Sequence, residues 1–478
     1  MTQKKTKIVA TLGPSSNSPE VMKQLVLAGV NVFRLNFSHG TLDEKKKTIK
    51  NIRELSKHLK IPVGVLADLP GPKLRVGKFG GGGPILLKNG NRVTLSTRSL
   101  EGSSEVIPID FAKLPSVVQK KDRILLADGN LELRVMSTTD KDIECQVIVG
   151  GELKERQGIN IPSRHIDIPA FTFRDKEAIK MLGKTLVDYV ALSFVQRPED
   201  IEKARHEMKK EGIHFPIYAK IEKPEALKHI EQILSIVDGM MIARGDLGVE
   251  LDTAEIPVVQ KQLIRLAAKM SVPVITATQM LESMIHNPRP TRAETTDVAN
   301  AIWDGTDAVM LSGETASGEH PVRAVTVMTE IIEKAESYPE FQWSPLEEFH
   351  TSRDSDHLVL HAAASIARPG EHKAIVTYTE TGHTAVLLSK YKPSVPIYAL
   401  TPHQQTCDKM SLIWGVRPLL SPHGKSVDDM ITRGDRVLTE HTELKKGDLV
   451  IITAGNKLST GATNMMKIHR IGEGLTRV

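Results

Sequence analysis

Lys220 and Glu222, in Pro216-Ile-Tyr-Ala-Lys-Ile-Glu222, stand two residues apart in a run otherwise apolar enough to be a buried strand. Strand side chains alternate between faces, so these two point the same way, and neither charge belongs in an apolar core without a partner. A buried ion pair holding strand register would explain one such pair by itself. Polar groups recur, however, at the same end of seven apolar runs: Arg34, Asn36 and Ser38 at alternate positions, Asp68, Ser193, Lys220 with Glu222, Asp246 in Ala243-Arg-Gly-Asp-Leu-Gly248, Thr278, and Ser312 with Glu314. Their types limit the chemistry. Glu222 and Asp246, with no histidine near them in sequence, suit a hard oxygen-ligated cation such as Mg²⁺ rather than zinc. Arg34, Arg75 and Lys220 in one pocket call for an anionic substrate, most simply phosphate. A divalent cation with a Lys/Arg clamp is how phosphoryl charge is stabilised in flight, so phosphoryl transfer is the leading reaction class.

These residues need a frame that brings seven strand ends together. Short β-branched runs alternate with helical segments, and eight are counted: Lys7–Gly13, Val30–Phe37, Val63–Leu69, Tyr189–Phe194, Pro216–Glu222, Gly239–Gly245, Pro273–Met280 and Ala308–Glu314. Eight strand–helix units predict a (β/α)8 barrel of the α/β class, whose chemistry gathers at the C-terminal face. Helix starts agree: Thr41-Leu-Asp-Glu44 has capping-box spacing, and Pro19, Pro198 and Pro224 fall at first helical positions. The alternation breaks once, between the third and fourth strands, where Gly80–Gly83, the Asn89-Gly90 and Asp128-Gly129 turns and the alternating run Leu131–Val135 read as inserted all-β material. Leaving from the end of strand three, it is expected to hang over the active face as a lid. The domains are therefore placed at residues 1–69 with 170–342 for the barrel, 70–169 for a β-barrel lid, 343–356 for a polar linker and 357–478 for a C-terminal α/β domain.

Composition excludes several classes. The chain has 478 residues, too many for one hydrophobic core, and its 63 basic and 58 acidic residues nearly balance. With aromatics at 4% and no basic run interleaved with them, nucleic-acid binding is not expected. Two cysteines, Cys145 and Cys407, support neither a disulfide framework nor a zinc site and fit a reducing, cytoplasmic setting. No run of about 18 apolar residues occurs, so no membrane partner is expected. A Walker A sequence is absent, and a nucleotide would have to use the barrel mouth and the lid.

At this point the chain resembles the pyruvate kinase family over essentially its whole length. The matching segments are Thr6-Lys-Ile-Val-Ala-Thr-Leu-Gly-Pro14, Arg34-Leu-Asn-Phe-Ser-His-Gly40, Lys220-Ile-Glu222, Ala243–Gly248, Ala277-Thr-Gln-Met-Leu-Glu-Ser-Met284 and Met310-Leu-Ser-Gly-Glu-Thr-Ala316. The resemblance implies phosphoryl transfer from phosphoenolpyruvate to ADP, giving pyruvate and ATP, with Mg²⁺ or Mn²⁺ on Glu222 and Asp246. It implies that Lys220 neutralises the transferring group and that Arg34, Lys220, Gly245, Asp246 and Thr278 contact substrate. Arg34, Asn36 and Arg75 are implied on the nucleotide side, and Thr278 and Ser312 in a proton relay completed by water.

Two departures from the familiar pattern matter. The implied potassium ligands Asn36, Ser38, Asp68 and Leu69 are present, but Asp68-Leu-Pro-Gly-Pro-Lys-Leu-Arg75 carries Lys73 where potassium-dependent members have glutamate. A fixed ammonium repels a second cation, so K⁺ is expected to be dispensable. Gln157 stands where the family often has a nucleotide-binding lysine, with Arg156 or Lys154 as possible substitutes. In the last domain, Thr379-Glu-Thr-Gly-His-Thr384 between a strand and a helix reads either as a capped turn or as a phosphate cradle. The resemblance implies an effector loop there, assisted by Gly455–Gly461, with Glu380 favouring a sugar monophosphate or AMP over a doubly phosphorylated sugar. It also implies a homotetramer. A metal-dependent barrel lyase acting on pyruvate or oxaloacetate, or a silent metabolite sensor, is the alternative; ADP-dependent turnover separates them.

Overall fold

Eight parallel strands close into a barrel in this computed structural model, which describes residues 4–162, 170–183, 187–344, 354–455 and 463–473. They are β1 (Lys7–Thr11), β2 (Val32–Asn36), β3 (Gly64–Asp68), β4 (Tyr189–Leu192), β5 (Ile217–Ile221), β6 (Gly239–Ala243), β7 (Val274–Ala277) and β8 (Ala308–Leu311). Each pairs with its sequence neighbours, and β1 with β8 closes the ring. The strands read as continuous apolar runs because both faces are covered. Val9, Val32, Leu66, Tyr218, Met241 and Ile275 fill the interior, while Ile8, Phe33, Val65 and Ile217 belong to the core under the helices.

The interior alternation places the chemistry. Positions that begin with apolar Val32, Leu66, Ala191 and Tyr218 reach Arg34, Asp68, Ser193 and Lys220 two residues later. Register aligns them, Arg34 opposite Leu66, Asn36 opposite Asp68, and Ala191 opposite Asp68. The caps inferred from sequence form: Ser18 and Thr41 accept from backbone amides, the latter within a full capping box, and Pro19, Pro198 and Pro224 open their helices.

All eight strands end one to three residues before their expected bounds, and two of these ends bear on the site. The sixth run stops at Ala243 and Asp246 lies in the first turn of the helix Arg244–Glu250; the eighth stops at Leu311 and Glu314 lies in the helix Gly313–Ala316. Gly245, Gly248 and Gly313 flank these bends, where the chain leaves the sheet for helix.

The insertion forms a six-stranded and a two-stranded sheet over their own apolar core, two sheets rather than one closed barrel among the described residues. It meets the barrel through Asn160 Nδ2, which donates to Glu250 Oε1 at 2.9 Å, and through Lys73, whose Nζ lies 3.9 Å from Asp246 Oδ1. At the opposite end, the barrel rests on the C-terminal domain. Lys7 Nζ donates to the Val416 carbonyl at 2.6 Å, Asp307 binds Lys390 and Lys392 at 2.5 and 2.9 Å, and Arg53 joins Asp188 to Asp408.

That last domain has β9 (Ala374–Tyr378), β10 (Ile397–Thr401), β11 (Val416–Leu420), β12 (Leu449–Gly455) and β13 (Thr463–Arg470) in the order β11-β10-β9-β12-β13, with only β13 antiparallel. Most of the expected linker and of the loop Gly455–Gly461 lies outside the described residues. No helix among the described residues is long and apolar enough to cross a membrane.

Candidate active site

Asp68, buried at the end of β3, is the hub of the C-terminal face. Arg34 Nε and Nη2 both reach its Oδ2 at 2.6 Å, and Lys220 Nζ lies 3.4 Å from its Oδ1. Lys220 is also 2.8 Å from Glu222 Oε1 and donates to Ser193 Oγ at 2.9 Å. Burial alone would strip the ammonium of its proton, but Asp68 and Glu222 outweigh it and hold Lys220 above the ordinary lysine range. The same two cations outweigh burial at Asp68 and keep its carboxyl below the usual range. Arg34 Nη1 is steadied by Thr11 Oγ1 at 3.0 Å. Lys220 is thus a fixed positive charge with its conformational freedom already spent.

Glu222 Oε2 accepts the Phe194 amide at 2.8 Å. Burial first, and the neighbouring charge of Asp246, push its pKa up against the pull of Lys220. Two carboxylates that raise each other's energy are a donor set that a divalent cation relieves, and both offer only oxygen. Asp246 is held from the lid side: Lys73 Nζ lies 3.9 Å from its Oδ1. Lys73 therefore reaches the site from the lid, with part of its side chain still in solvent. It lines a cleft between insertion and barrel with Ile159, Asn160, Phe194 and Lys223.

Thr278 has φ 68°, a left-handed conformation that a β-branched residue adopts only under constraint. The constraint is visible. Its Oγ1 accepts the Gly245 amide at 2.7 Å, and its carbonyl accepts from Arg244 Nη2 at 2.9 Å, while Arg244 Nη1 is paired with Asp297 at 2.7 Å. Gly245 N–H is engaged by Thr278 and is not turned outward. Phe194, at φ 58°, is strained likewise beside Glu222.

On the rim, Asn36 Oδ1 accepts the Ser38 amide at 2.9 Å. Arg75 Nη1 donates to the Arg156 carbonyl at 2.8 Å. His39 gathers the field of this rim: partial burial, then Arg75, Lys45, Arg34 and Lys73, all lower its pKa. This is a basic funnel at the mouth, suited to phosphate. Ser312 sits at the start of the helix after β8, where its amide donates to Glu314 Oε2 at 2.7 Å. Glu314 Oε1 accepts the Leu281 amide, so this buried carboxylate ties the loops after β7 and β8 together and is not a group for substrate. Gln157 Oε1 accepts the Lys154 amide.

Sequence reasoning missed Arg244, Asp297, Asp128 and the Lys223–Glu250–Asn160 cluster. Arg244 alone carried a signal, an arginine directly after an apolar run. In the last domain, Thr379 Oγ1 accepts the Gly382 amide at 2.9 Å, Gly382 has φ 90°, and Thr384 Oγ1 meets Thr463 Oγ1 at 2.9 Å.

A closed parallel barrel with lysine, arginine and paired carboxylates converging on its C-terminal face, under an inserted β domain, defines an enzyme acting on anionic substrates. Comparison with known proteins makes the class specific. Residues 3–325 match the family model for the pyruvate kinase barrel domain and residues 357–469 that for the pyruvate kinase alpha/beta domain. The chain is 44% identical over 470 residues to pyruvate kinase 2 of Synechocystis sp., covering 98% of this chain and 79% of that protein. It is 42% identical to the pyruvate kinase of Thermotoga maritima, covering 98% and 99%. A crystal structure of a pyruvate kinase from Cryptosporidium parvum superposes with a TM-score of 0.90 at 37% identity, over 98% of this chain and 96% of that one. The chain belongs to the pyruvate kinase family and is a phosphotransferase.

Proposed function

We propose that this pyruvate kinase transfers the phosphoryl group of phosphoenolpyruvate to ADP with Mg²⁺ or Mn²⁺ and without a potassium requirement. The observation that carries the reading is the ammonium of Lys220, clamped between Asp68, Glu222 and Ser193. Glu222 and Asp246 would hold the divalent ion, whose charge supplements that of the side chains on the substrate carboxylate and phosphate. Lys220 neutralises the transferring phosphoryl group, and Arg34, aimed by Asp68 and Thr11, binds its oxygens. Arg75 and the basic rim receive the ADP phosphates, with Asn36 beside them. Thr278 presents its hydroxyl to the enolate carbon and passes a proton along a relay with Ser312 and water, since neither hydroxyl is acidic enough alone. Substrate contact by the Gly245 amide requires it to exchange its bond to Thr278 for one to substrate, while the Asp246 amide binds alongside.

Lys73 is the basis for potassium independence. Its ammonium lies beside Asp246 and acts on His39, and in this reading it supplies the positive charge that a K⁺ on Asn36, Ser38, Asp68 and Leu69 would bring. The loop Thr379, Glu380, Thr381, Gly382, His383 and Thr384 is read as the cradle of an activating monophosphate, a sugar phosphate or AMP, in a cytoplasmic homotetramer. The decisive measurement is pyruvate formation from phosphoenolpyruvate and ADP with Mg²⁺, in potassium-free buffer and with K⁺ added. Comparable rates support the phosphotransfer reaction and the role of Lys73 together. Turnover only with K⁺ removes the role of Lys73, and no pyruvate in either buffer would point to the lyase or the sensor.

A further inference from the structure

The sheet of the C-terminal domain gathers a second cluster of ligand-type side chains, remote from the barrel mouth and unused by the phosphotransfer chemistry. Glu380 lies two residues beyond β9, His403 two beyond β10 and His423 three beyond β11, so three neighbouring parallel strands each deliver one side chain from the connection after their C-terminal end. Open α/β sheets place ligands at this edge. His403 Nε2 is 2.9 Å from Glu380 Oε2, and His423 Nδ1 is 3.4 Å from Glu380 Oε1. One ligand atom from each residue falls within 4.8 Å of the other two. Two donors bound at about 2.1 Å in a tetrahedral site are themselves roughly 3.4 Å apart, so only small rotations separate the cluster from coordination. The imidazole rings meet edge-on with centroids 5.8 Å apart, both turned towards the carboxylate. Their connections are braced by backbone bonds. Thr406 Oγ1 donates to the Glu380 carbonyl at 2.9 Å, and the Ser421 amide donates to the Thr401 carbonyl at 2.9 Å.

We infer that Glu380, His403 and His423 form a binding site for a zinc-class divalent metal ion, distinct from the Mg²⁺ chemistry of the barrel. Two imidazoles and one carboxylate are borderline ligands that favour Zn²⁺, Co²⁺ or Ni²⁺ over Mg²⁺, which dehydrates reluctantly and prefers oxygen. Three protein ligands leave a fourth position for water or a small anion. A bound ion would cross-link three connections that otherwise share only hydrogen bonds. Without the ion, the same residues make two histidine–carboxylate pairs. The inference rests on this geometry and not on the assignment of an effector.

The test uses the full-length chain stripped of metal, titrated calorimetrically with Zn²⁺ in the presence of excess Mg²⁺ and, separately, with Co²⁺ followed by its visible absorption. The expected result is one Zn²⁺ per chain that Mg²⁺ does not displace, with Co²⁺ giving the intense bands of four-coordination. Loss of an outer-shell partner costs about 10- to 100-fold in metal affinity, so His403→Ala and His423→Ala should each cost at least that. Glu222→Gln should leave this equivalent unchanged. Both histidines are about half exposed, with side chains 53% accessible, and their removal opens no core; circular dichroism of each variant verifies the fold. Absence of a Mg²⁺-resistant equivalent, its persistence in both histidine variants, or its disappearance in Glu222→Gln would overturn the site.

Discussion

Replacing Lys73 with glutamate reverses one charge at the point where lid and barrel meet, and its consequence can be sized from two distances. Lys73 Nζ is 3.9 Å from Asp246 Oδ1 and 3.1 Å from Asp128 Oδ1. Unit charges 3.9 Å apart interact by about 4 kcal/mol at an effective dielectric near 20. The Lys73 and Asp246 side chains are 27% and 31% exposed, so solvent reduces this to about 1 kcal/mol. Turning attraction into repulsion doubles the change to about 2 kcal/mol, or roughly 30-fold in rate. The carboxylate repels Asp246 and the anionic substrates until a monovalent cation neutralises it. The variant should therefore lose about 30-fold in kcat/KM for phosphoenolpyruvate in potassium-free buffer and recover most of it with K⁺, while the parent changes less than about twofold. Steady-state rates with tetramethylammonium as the balancing cation measure both. A variant indifferent to K⁺, or a parent that needs it, would refute the substitution of ammonium for potassium.

Lys220→Met keeps the side-chain volume and removes the charge; kcat should fall by about 100- to 1,000-fold, the cost of one preorganised electrostatic partner, while calorimetry still detects divalent metal. Glu222→Gln removes one of two anionic ligands, and the Mg²⁺ concentration for half-maximal rate should rise at least tenfold; an unchanged metal titration would contradict the assignment. At the other end of the barrel, burial holds the ammonium of Lys7 down to about 7. A lysine depressed in the folded state is penalised while protonated, so its contribution becomes more favourable as pH rises from about 7 towards its unfolded value near 10. The urea stability of the parent relative to Lys7→Met should therefore increase between pH 7 and 9, by up to about 3 kcal/mol; a flat difference would place that ammonium in water.

Much of this was legible because the barrel makes strong signals. A parallel strand covered on both faces must be apolar, so Lys220, Glu222 and Asp68 stood out as exceptions, and alternation put them on one side. The turns into helix at Asp246 and Glu314 were not legible, because an apolar run says nothing about where the backbone leaves the sheet. Glu314 looked like a site residue from its position but spends both oxygens on backbone amides, a use that depends on two loops meeting in space. Arg244 and Asp297 are 53 residues apart and Lys73 and Asp128 are 55 apart. Such pairs exist only once each domain has folded, and a single chain carries no local pattern for them.

Thr278 tests whether backbone strain at the mouth serves the chemistry. A threonine at φ 68° stores about 1–3 kcal/mol that glycine would not. Thr278→Gly releases it, but gives up the hydrogen bond from the Gly245 amide, about 1 kcal/mol, and adds about 0.5–1 kcal/mol of unfolded-state entropy. The terms nearly cancel, so the unfolding midpoint should move by no more than a few degrees. Turnover should nonetheless collapse, because the hydroxyl beside Gly245 is gone and the amide it held is released. Thr278→Ser, which keeps the hydroxyl on the same backbone, should retain most of the activity. If the glycine variant were both stable and active, the strained threonine would be a feature of the loop's path, and the proton relay would have to run through Ser312 and water alone. If instead it unfolded, the bond from the Gly245 amide would be shown to hold the barrel mouth together, and the serine variant would then carry the test of the hydroxyl by itself.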